Sequence, residues 1–218
     1  MPQQTPFLSG QTLLFVGDSI TDASRREPQN RPLGWGYVRI FHDMQKTREP
    51  AKKLNFINSG CGGNNVEDLR SRWQDDVLDY KPDWLFIKIG INDLNQFLAH
   101  GRESVNPAGF KVTYDELLRL TRRVLPECKI VLLSPFHMSY EANAIAYRAK
   151  VNVLILEYLA VVRELAMNHQ AGFIDLHSAF LKLRQYLPLN ELGDEPVHPN
   201  STGHFFIADQ IWNSLTRD

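Results

Sequence analysis

The sequence predicts an α/β fold in which a five-stranded parallel sheet lies between two layers of helices, as a three-layer sandwich. Five short apolar runs, rich in aromatic and β-branched residues, are typical of buried strands. They occupy residues 13–16, 54–58, 83–90, 129–133 and 172–176. Amphipathic segments with helical spacing separate these runs, and strands that alternate with helices form parallel sheets through right-handed crossovers.

Length and composition are those of an ordinary globular protein. With 218 residues, 43% hydrophobic and 22% charged, the chain is long enough for one sizeable core, and we expect a single domain over residues 1–218. The net charge of −1 predicts neither a nucleic-acid partner nor an anionic membrane surface as a partner. Residues 1–6 lack the basic and apolar regions of a secretory signal, and no apolar stretch is long enough to span a bilayer.

The cysteines and histidines predict neither a disulfide framework nor a metal site. Cys61 and Cys128 are the two cysteines of the chain, and they suit a reducing compartment. Asp175 and His177 are close in sequence but lack a third ligand. We therefore expect a cytoplasmic protein, unless a natural leader has been removed, and the sequence leaves open whether it forms a homo-oligomer.

The first strand ends at Gly17 and places Ser19 at its carboxyl end. Ligands of open α/β sheets bind at this edge, so Ser19 is placed for chemistry. Gly17 allows a sharp turn, and a helix beginning after Ser19 directs its partly positive N-terminus at an anion beside the hydroxyl. The structural alternative is that Ser19 is an N-cap residue, since serine is preferred there.

A crossover helix and a glycine-rich loop follow. Residues 22–32 are polar and predict a surface loop, and residues 33–44 predict the first crossover helix. After the second strand, residues 59–65 contain three glycines, and their amides can point at an oxyanion or a phosphate where the helix 66–80 begins. A purely structural turn is the alternative. The loop matches neither the dinucleotide fingerprint nor a P-loop.

The third strand ends beside Asn92, which can offer a side-chain N–H at the same edge as Ser19. An oxyanion hole requires such a donor. Alternatively, Asn92 and Asp93 are turn residues.

The remaining segments complete the alternation of strands and helices. Helices are predicted at 114–125, 142–168 and 205–215. Residues 94–107 and 136–143 are expected to form loops near the sheet edge. The depth of any pocket depends on these loops. Three residues are pocket candidates by position alone, although packing roles are equally compatible with them: Trp35, Phe136 and His137.

His198 lies in a loop near the C-terminus, between Pro196 and Pro199. The prolines stiffen this loop, which suits a side chain that must be held in one place. An acidic residue three positions earlier can accept the Nδ1 proton and orient the ring.

Four sequence blocks, in this order and spacing, resemble the G-D-S-L esterases, also called the SGNH hydrolase family, from Gly17 to Gly203. The resemblance implies the flavodoxin-like SGNH hydrolase fold. It implies Ser19 as the nucleophile, with the Ser19 and Gly63 amides and the Asn92 side chain as oxyanion donors, and His198 as the base. The last block of the family is usually Asp-x-x-His-Pro. This chain has Glu195 at that position and Asp194 one residue earlier, so both are candidates for the acid.

Within the family, the blocks Gly17–Asp22 and Gly34–Val38, with the pairs Arg72-Trp73 and Asp76-Val77, are most similar to bacterial carbohydrate acetylesterases, including those that act on acetylated xylan. The resemblance implies an acetyl ester of a small molecule or an oligosaccharide as substrate, and acyl transfer without a cofactor or metal. A lipase, lysophospholipase or thioesterase of the same family is an alternative. A non-catalytic module that binds acylated sugar is another.

Overall fold

The computed structural model describes residues 4–216, which form a sheet of five parallel strands. The strands are β1 (Thr12–Gly17), β2 (Asn55–Gly60), β3 (Trp84–Lys88), β4 (Lys129–Leu133) and β5 (Gly172–Ile174). Their order in the sheet is β2-β1-β3-β4-β5. Because β2 and β3 lie on opposite sides of β1, the topological switch point is between β1 and β3, where such sheets bind ligands beyond the carboxyl ends of their strands.

Helices cover both faces of the sheet, which confirms the predicted three-layer sandwich. The α-helices are α1 (Ser19–Asp22), α2 (Tyr37–Arg48), α3 (Val66–Trp73), α4 (Ile91–His100), α5 (Pro107–Val124), α6 (Tyr147–Asn168), α7 (Leu176–Leu183) and α8 (Ser201–Thr216). Leu14 and Val16 of β1 pack against α3 to α6, whereas Leu13 and Phe15 pack against α2, α7 and α8. Successive strand residues point to opposite faces, so each strand is buried on both sides.

All five predicted strands are confirmed, with shifts at their ends. β2 continues through Gly60, into residues expected as loop. β5 ends at Ile174 because Asp175 is the N-cap of α7, a helix that the sequence analysis did not predict. The Asp175 side chain accepts a hydrogen bond from the Ser178 amide at 3.0 Å and so caps this helix.

The expectation of a loop over residues 94–107 is wrong for most of that segment. Gly90 adopts a φ of +127°, which favours glycine, and α4 begins directly after it. Ile91 and Leu94 are fully buried on the sheet side of α4. Gly101 ends the helix in the left-handed conformation. Asn92 therefore lies in the first turn of a helix and not in an isolated turn.

Several helices begin at residues other than those expected. α2 begins at Tyr37 because Gly34, with a φ of +78°, belongs to the preceding turn. α5 begins at Pro107, where Asn106 caps it, and α6 begins at Tyr147. The expected helix 66–80 consists of α3 and a π-helical turn at Gln74–Leu78. Across residues 4–216, none of the helices has both the length and the apolar character that crossing a membrane requires.

Candidate active site

Ser19 is the first residue of α1 and follows β1 after one intervening residue. That residue, Asp18, fills the N-cap position, since its Oδ1 accepts a hydrogen bond from the Ile20 amide at 3.0 Å. The N-cap interpretation of Ser19 is therefore wrong, and its hydroxyl is available for other partners. Gly17 is required before this turn, because a Cβ there would lie 2.2 Å from the backbone oxygen of Lys88 on β3.

A line of hydrogen bonds joins three of the predicted site residues. The Oγ of Ser19 lies 2.9 Å from Nε2 of His198, and Nδ1 of His198 lies 2.5 Å from Oε1 of Glu195. The His198 amide donates to Oε1 of Glu195 at 2.8 Å, and the Val197 amide donates to Oε2 at 3.1 Å. Asp194 is exposed, and within residues 4–216 it makes no hydrogen bond to the His198 ring. Glu195 is therefore the carboxylate that orients the imidazole.

Backbone contacts fix the loop that carries His198. The Met138 amide donates to the carbonyl of Pro196 at 2.9 Å, which ties the loop to the residues after β4. A Cβ at Gly193 would lie 2.5 Å from the carbonyl oxygen of His198, so the chain crosses itself closely here. Asn200 follows directly and accepts hydrogen bonds from the first amides of α8. The loop is thus anchored at both ends.

The two ionisable groups of this line shift each other's pKa. The hydrogen bond from His198 lowers the pKa of Glu195 to about 2, against a smaller opposing effect of burial. The hydrogen bond to Glu195 raises the pKa of His198 above its ordinary value, and burial opposes that shift. At neutral pH, Glu195 is therefore ionised and stabilises a proton on His198.

Three N–H groups face the same edge of the sheet as the Ser19 hydroxyl. Ser19, at the start of α1, and Gly63, with a φ of +79°, have backbone amides that make no hydrogen bond to any other group in residues 4–216. Nδ2 of Asn92 donates one hydrogen to the carbonyl of Asn64 at 2.9 Å. Its second hydrogen remains available. Because β2, β1 and β3 are neighbours in the sheet and these residues follow their carboxyl ends, the three predicted donors lie at one edge of the sheet.

Arg72 and Asp93 hold the glycine-rich loop in place. The largely buried guanidinium of Arg72 donates to the carbonyls of Gly17 at 3.1 Å and Ser59 at 2.8 Å, and to the side chain of Asn64 at 2.7 Å. The buried Asp93 accepts a hydrogen bond from the first backbone amide of α3 at 2.9 Å. The loop donor at Gly63 is thus tied to the ends of β1 and β2 and to the residue beside Asn92.

Sequence reasoning missed a buried ion pair beneath the nucleophile. Nζ of Lys88 lies 3.1 Å from Oδ2 of Asp18, and both side chains are 0% exposed. The Lys88 ammonium also lies 5.0 Å from the centre of the Phe136 ring. Burial lowers the pKa of Lys88, whereas Asp18 opposes that shift. The one feature of the sequence that could have indicated this ion pair is the lysine at the end of an otherwise apolar strand.

The three residues proposed as pocket candidates by position have different environments. Phe136 is fully buried and packs against Phe180, so it belongs to the core. Trp35 is 43% exposed and meets the His204 ring edge-on at 4.7 Å. His137 lines a cleft beside Asn92, and it is the one of the three that faces a cavity near the site.

Asp175 and His177, which the sequence places close together, have separate partners in the structure. Across residues 4–216, no three side chains of His, Cys, Asp or Glu come together in a way that could hold an ion. Asp175 caps α7 and pairs with Arg163 at 3.0 Å, and Nδ1 of His177 accepts a hydrogen bond from the His137 amide at 3.3 Å. Asp175 and His177 are therefore engaged separately.

Comparison of the sequence with known proteins identifies relatives along most of the chain. An acetylxylan esterase from Geobacillus stearothermophilus is 34% identical over an aligned length of 211 residues, and the match covers 92% of this chain and 91% of that protein. The platelet-activating factor acetylhydrolase IB subunit alpha1 of Rattus norvegicus is 24% identical over an aligned length of 187 residues, and the match covers 82% of this chain and 75% of that protein.

Comparison with solved structures finds the same acetylxylan esterase among proteins of this fold. The acetylxylan esterase from Geobacillus stearothermophilus superimposes with a TM-score of 0.84 at 30% identity, covering 97% of this chain and 96% of its own. An alpha/beta hydrolase enzyme from the metagenome of Lake Arreo, Spain, gives a TM-score of 0.85 at 31% identity, covering 97% and 98%. The model of the GDSL-like lipase/acylhydrolase family matches residues 15–205, so the chain belongs to that family.

Proposed function

We propose that this protein is a serine esterase that removes acetyl and other short acyl groups from carbohydrate esters, with residues 1–218 acting as one hydrolase domain. The observation that carries the proposal is the line of hydrogen bonds from Ser19 through His198 to Glu195 at the switch point of the sheet. A serine hydroxyl is unreactive at its ordinary pKa and needs an adjacent base to act as a nucleophile. His198 is in contact with the hydroxyl and is itself oriented by a carboxylate.

The first half of the reaction forms an acyl-enzyme. Nε2 of His198 takes the hydroxyl proton while Oγ of Ser19 attacks the ester carbonyl, and the negative charge moves to the carbonyl oxygen. Glu195 keeps the Nδ1–H tautomer in place and stabilises the imidazolium without accepting its proton. His198 then gives the proton to the departing alcohol oxygen, and the C–O bond of the ester breaks.

The oxyanion is stabilised by the donors that surround the nucleophile. We assign the amides of Ser19 and Gly63 and the free Nδ2 hydrogen of Asn92 to this role. They are held before substrate arrives, since Asn92 is fixed by the Asn64 carbonyl. Donors that need no reorganisation are the most effective at this task.

The second half of the reaction repeats the same proton transfers with water. His198 removes a proton from water, hydroxide attacks the acyl carbon, and the oxygen of Ser19 leaves with the proton that His198 returns. One ester and one water give one carboxylic acid and one alcohol. These steps are accomplished by side chains, backbone amides and water.

The relatives support the substrate class. The acetylxylan esterase and the platelet-activating factor acetylhydrolase subunit are both named for release of acetyl groups, and the former for a polysaccharide substrate. We propose a small-molecule or oligosaccharide acetyl ester for this chain. Within the site, Glu195 is the acid and Asp194 has no part in the chemistry.

Hydrolysis of 4-nitrophenyl acetate, butyrate and octanoate tests the proposal. We expect the acetate to give the highest kcat/KM, and we expect Ser19→Ala to lose activity by a factor on the order of 10⁴ or more. Rates that rise steadily from acetate to octanoate would contradict the acetyl preference and favour a lipase. Equal inactivity of wild type and Ser19→Ala on every ester would overturn the esterase assignment, and retained binding of acylated sugar would then favour a binding module.

A further inference from the structure

A cleft of about 430 Å³ opens beside two of the proposed catalytic residues. Asn92 and Glu195 form part of its wall, and the rest is contributed mainly by α4 and by the start of α6. Pockets of roughly 300–1,000 Å³ hold small ligands. A substrate whose ester carbonyl meets Ser19 therefore has room in this cleft for the remainder of the molecule.

The amide side chains on the α4 wall present donors. Oδ1 of Asn95 accepts a hydrogen bond from the Tyr147 hydroxyl at 2.9 Å. Oε1 of Gln96 accepts two, from Nδ2 of Asn65 and from the guanidinium of Arg102, both at 2.9 Å. Both lone pairs of the Gln96 oxygen and one of the two on Asn95 are occupied, so these side chains offer a ligand more donors than acceptors.

One histidine contributes an acceptor. Nδ1 of His137 lies 2.7 Å from Oδ1 of Asn152, whose own Nδ2 donates to the carbonyl of Glu141. This arrangement fixes the proton on Nδ1 and leaves Nε2 as an acceptor. Burial lowers the pKa of His137, against smaller opposing effects of the hydrogen bond to Asn152 and the charge of Glu195, and the lowered pKa favours the neutral ring. A neutral imidazole suits a sugar hydroxyl.

Arg148 supplies a positive charge to the cleft. It is exposed in the first turn of α6, lines the cavity, and forms no ion pair with an acidic side chain of residues 4–216. The negative group on the opposite wall, Glu195, is already bonded to the His198 ring and to two backbone amides. His100, His137 and Tyr147 are the other titratable side chains that line the cavity. The unsatisfied charge of the cleft is therefore positive.

Tyr147 adds a surface on which a sugar ring can rest. Its side chain is 49% exposed, and the hydrogen bond to Asn95 holds the phenol in one orientation. An aromatic ring gives a large apolar area with little loss of conformational freedom, and its polar end stays solvated.

We propose that this cleft binds the alcohol part of the ester as an oligosaccharide bearing a uronic acid, whose carboxylate pairs with Arg148. A neutral sugar presents donors and acceptors in similar number, whereas this cleft presents mostly donors and one arginine. A carboxylate satisfies both the charge and the donors, and Arg is the side chain best shaped to hold one. The inference rests on the proposed esterase function and specifies its substrate.

A matched pair of substrates tests the inference. One is an acetylated xylo-oligosaccharide with a single glucuronic acid substituent, and the other is the same oligosaccharide after reduction of its carboxyl group to an alcohol. For the wild type we expect a KM for the acidic substrate lower by about tenfold, with similar kcat, because a charge-assisted hydrogen bond is gained on binding. The advantage should shrink as NaCl is raised.

Arg148→Gln should remove this advantage, while Arg119→Gln, at an exposed arginine of α5 outside the cleft, should preserve it. Hydrolysis of 4-nitrophenyl acetate should stay within about twofold of wild type in Arg119→Gln, and the ratio of the two oligosaccharide KM values is the measurement that decides the result for Arg148→Gln. Equal KM values for the two oligosaccharides, or an acidic advantage that survives in Arg148→Gln, would overturn the inference. Failure of the wild type on 4-nitrophenyl acetate would instead refute the esterase function.

Discussion

The Glu195 carboxylate acts on His198 in two ways that a pH profile separates. It orients the ring, and it raises the pKa of His198. The esterase needs neutral His198, so activity must fall as pH drops through this raised pKa. In Glu195→Gln the pKa of His198 should fall, so the acidic limb of the kcat/KM profile should move to lower pH, while the plateau should drop by roughly 10²–10⁴-fold.

Asp194→Asn is the matched control for this experiment, since the two acids are adjacent and only Glu195 touches the ring. Both the plateau and the acidic limb of Asp194→Asn should coincide with those of the wild type. An unmoved acidic limb in Glu195→Gln would contradict the role given to this carboxylate.

Asn92 should increase the rate of hydrolysis by stabilising the oxyanion and not by strengthening substrate binding. Its Nδ2 has one hydrogen on the Asn64 carbonyl and one free, so Asn92→Ala removes a donor and leaves the nucleophile intact. We expect kcat for 4-nitrophenyl acetate to fall by about 10²–10³-fold with little change in KM. Asn55→Ala, at the opposite end of the sheet, serves as control. A loss confined to KM would rule out the assigned role.

At the scale of elements, the strands were the most predictable part of the chain. A parallel strand buried on both faces leaves a continuous apolar run, and the run 129–133 coincides with β4. α4 was not predicted because Asn92 and Asp93 also suit a turn, and the helix depends on Gly90 adopting a positive φ. The short α7 is missed for a similar reason, since the predicted strand 172–176 includes its cap, Asp175.

The π-helical turn and α3 are connected to the active site by one side chain. Arg72 donates to the carbonyl ends of β1 and β2 and to Asn64, and it pairs with Asp76 at 2.5 Å. Lysine cannot reproduce this planar set of donors. We therefore expect Arg72→Lys to lower kcat for 4-nitrophenyl acetate by about tenfold or more, because the glycine loop loses its support.

Arg70→Lys is the comparison for that variant, because Arg70 lies on the same helix with a half-exposed side chain and pairs with Glu67 at 3.8 Å and Glu116 at 3.5 Å. Its rate should match that of the wild type. If Arg72→Lys were as active as Arg70→Lys, the loop would have to be held by its own backbone contacts alone.

For the molecule as a whole, the sequence is most informative about the candidate site residues and least informative about the charges beneath them. It leaves the acid open between Glu195 and Asp194, and in the structure Glu195 is the one hydrogen-bonded to the His198 ring. Asp18 and Lys88 were read as members of a motif and a strand. Their pairing depends on β1 and β3 being neighbours in the sheet, which places residues 70 positions apart in contact.

This ion pair should matter for global stability, because both groups are fully buried where β1, β3 and the residues after β4 meet. Lys88→Met keeps much of the apolar volume of the side chain but leaves Asp18 charged and unpaired, so we expect the free energy of unfolding in urea to fall by about 3–5 kcal/mol. The double variant Lys88→Met/Asp18→Asn removes both charges and retains an N-cap for α1, since asparagine is as good a cap as aspartate. It should therefore recover half or more of the loss.

Two results would contradict this account. If the free energy of unfolding of Lys88→Met were within about 1 kcal/mol of the wild-type value, the pair would not be needed for folding. A double variant no more stable than the single one would place the loss in packing around Phe136 rather than in the unpaired charge.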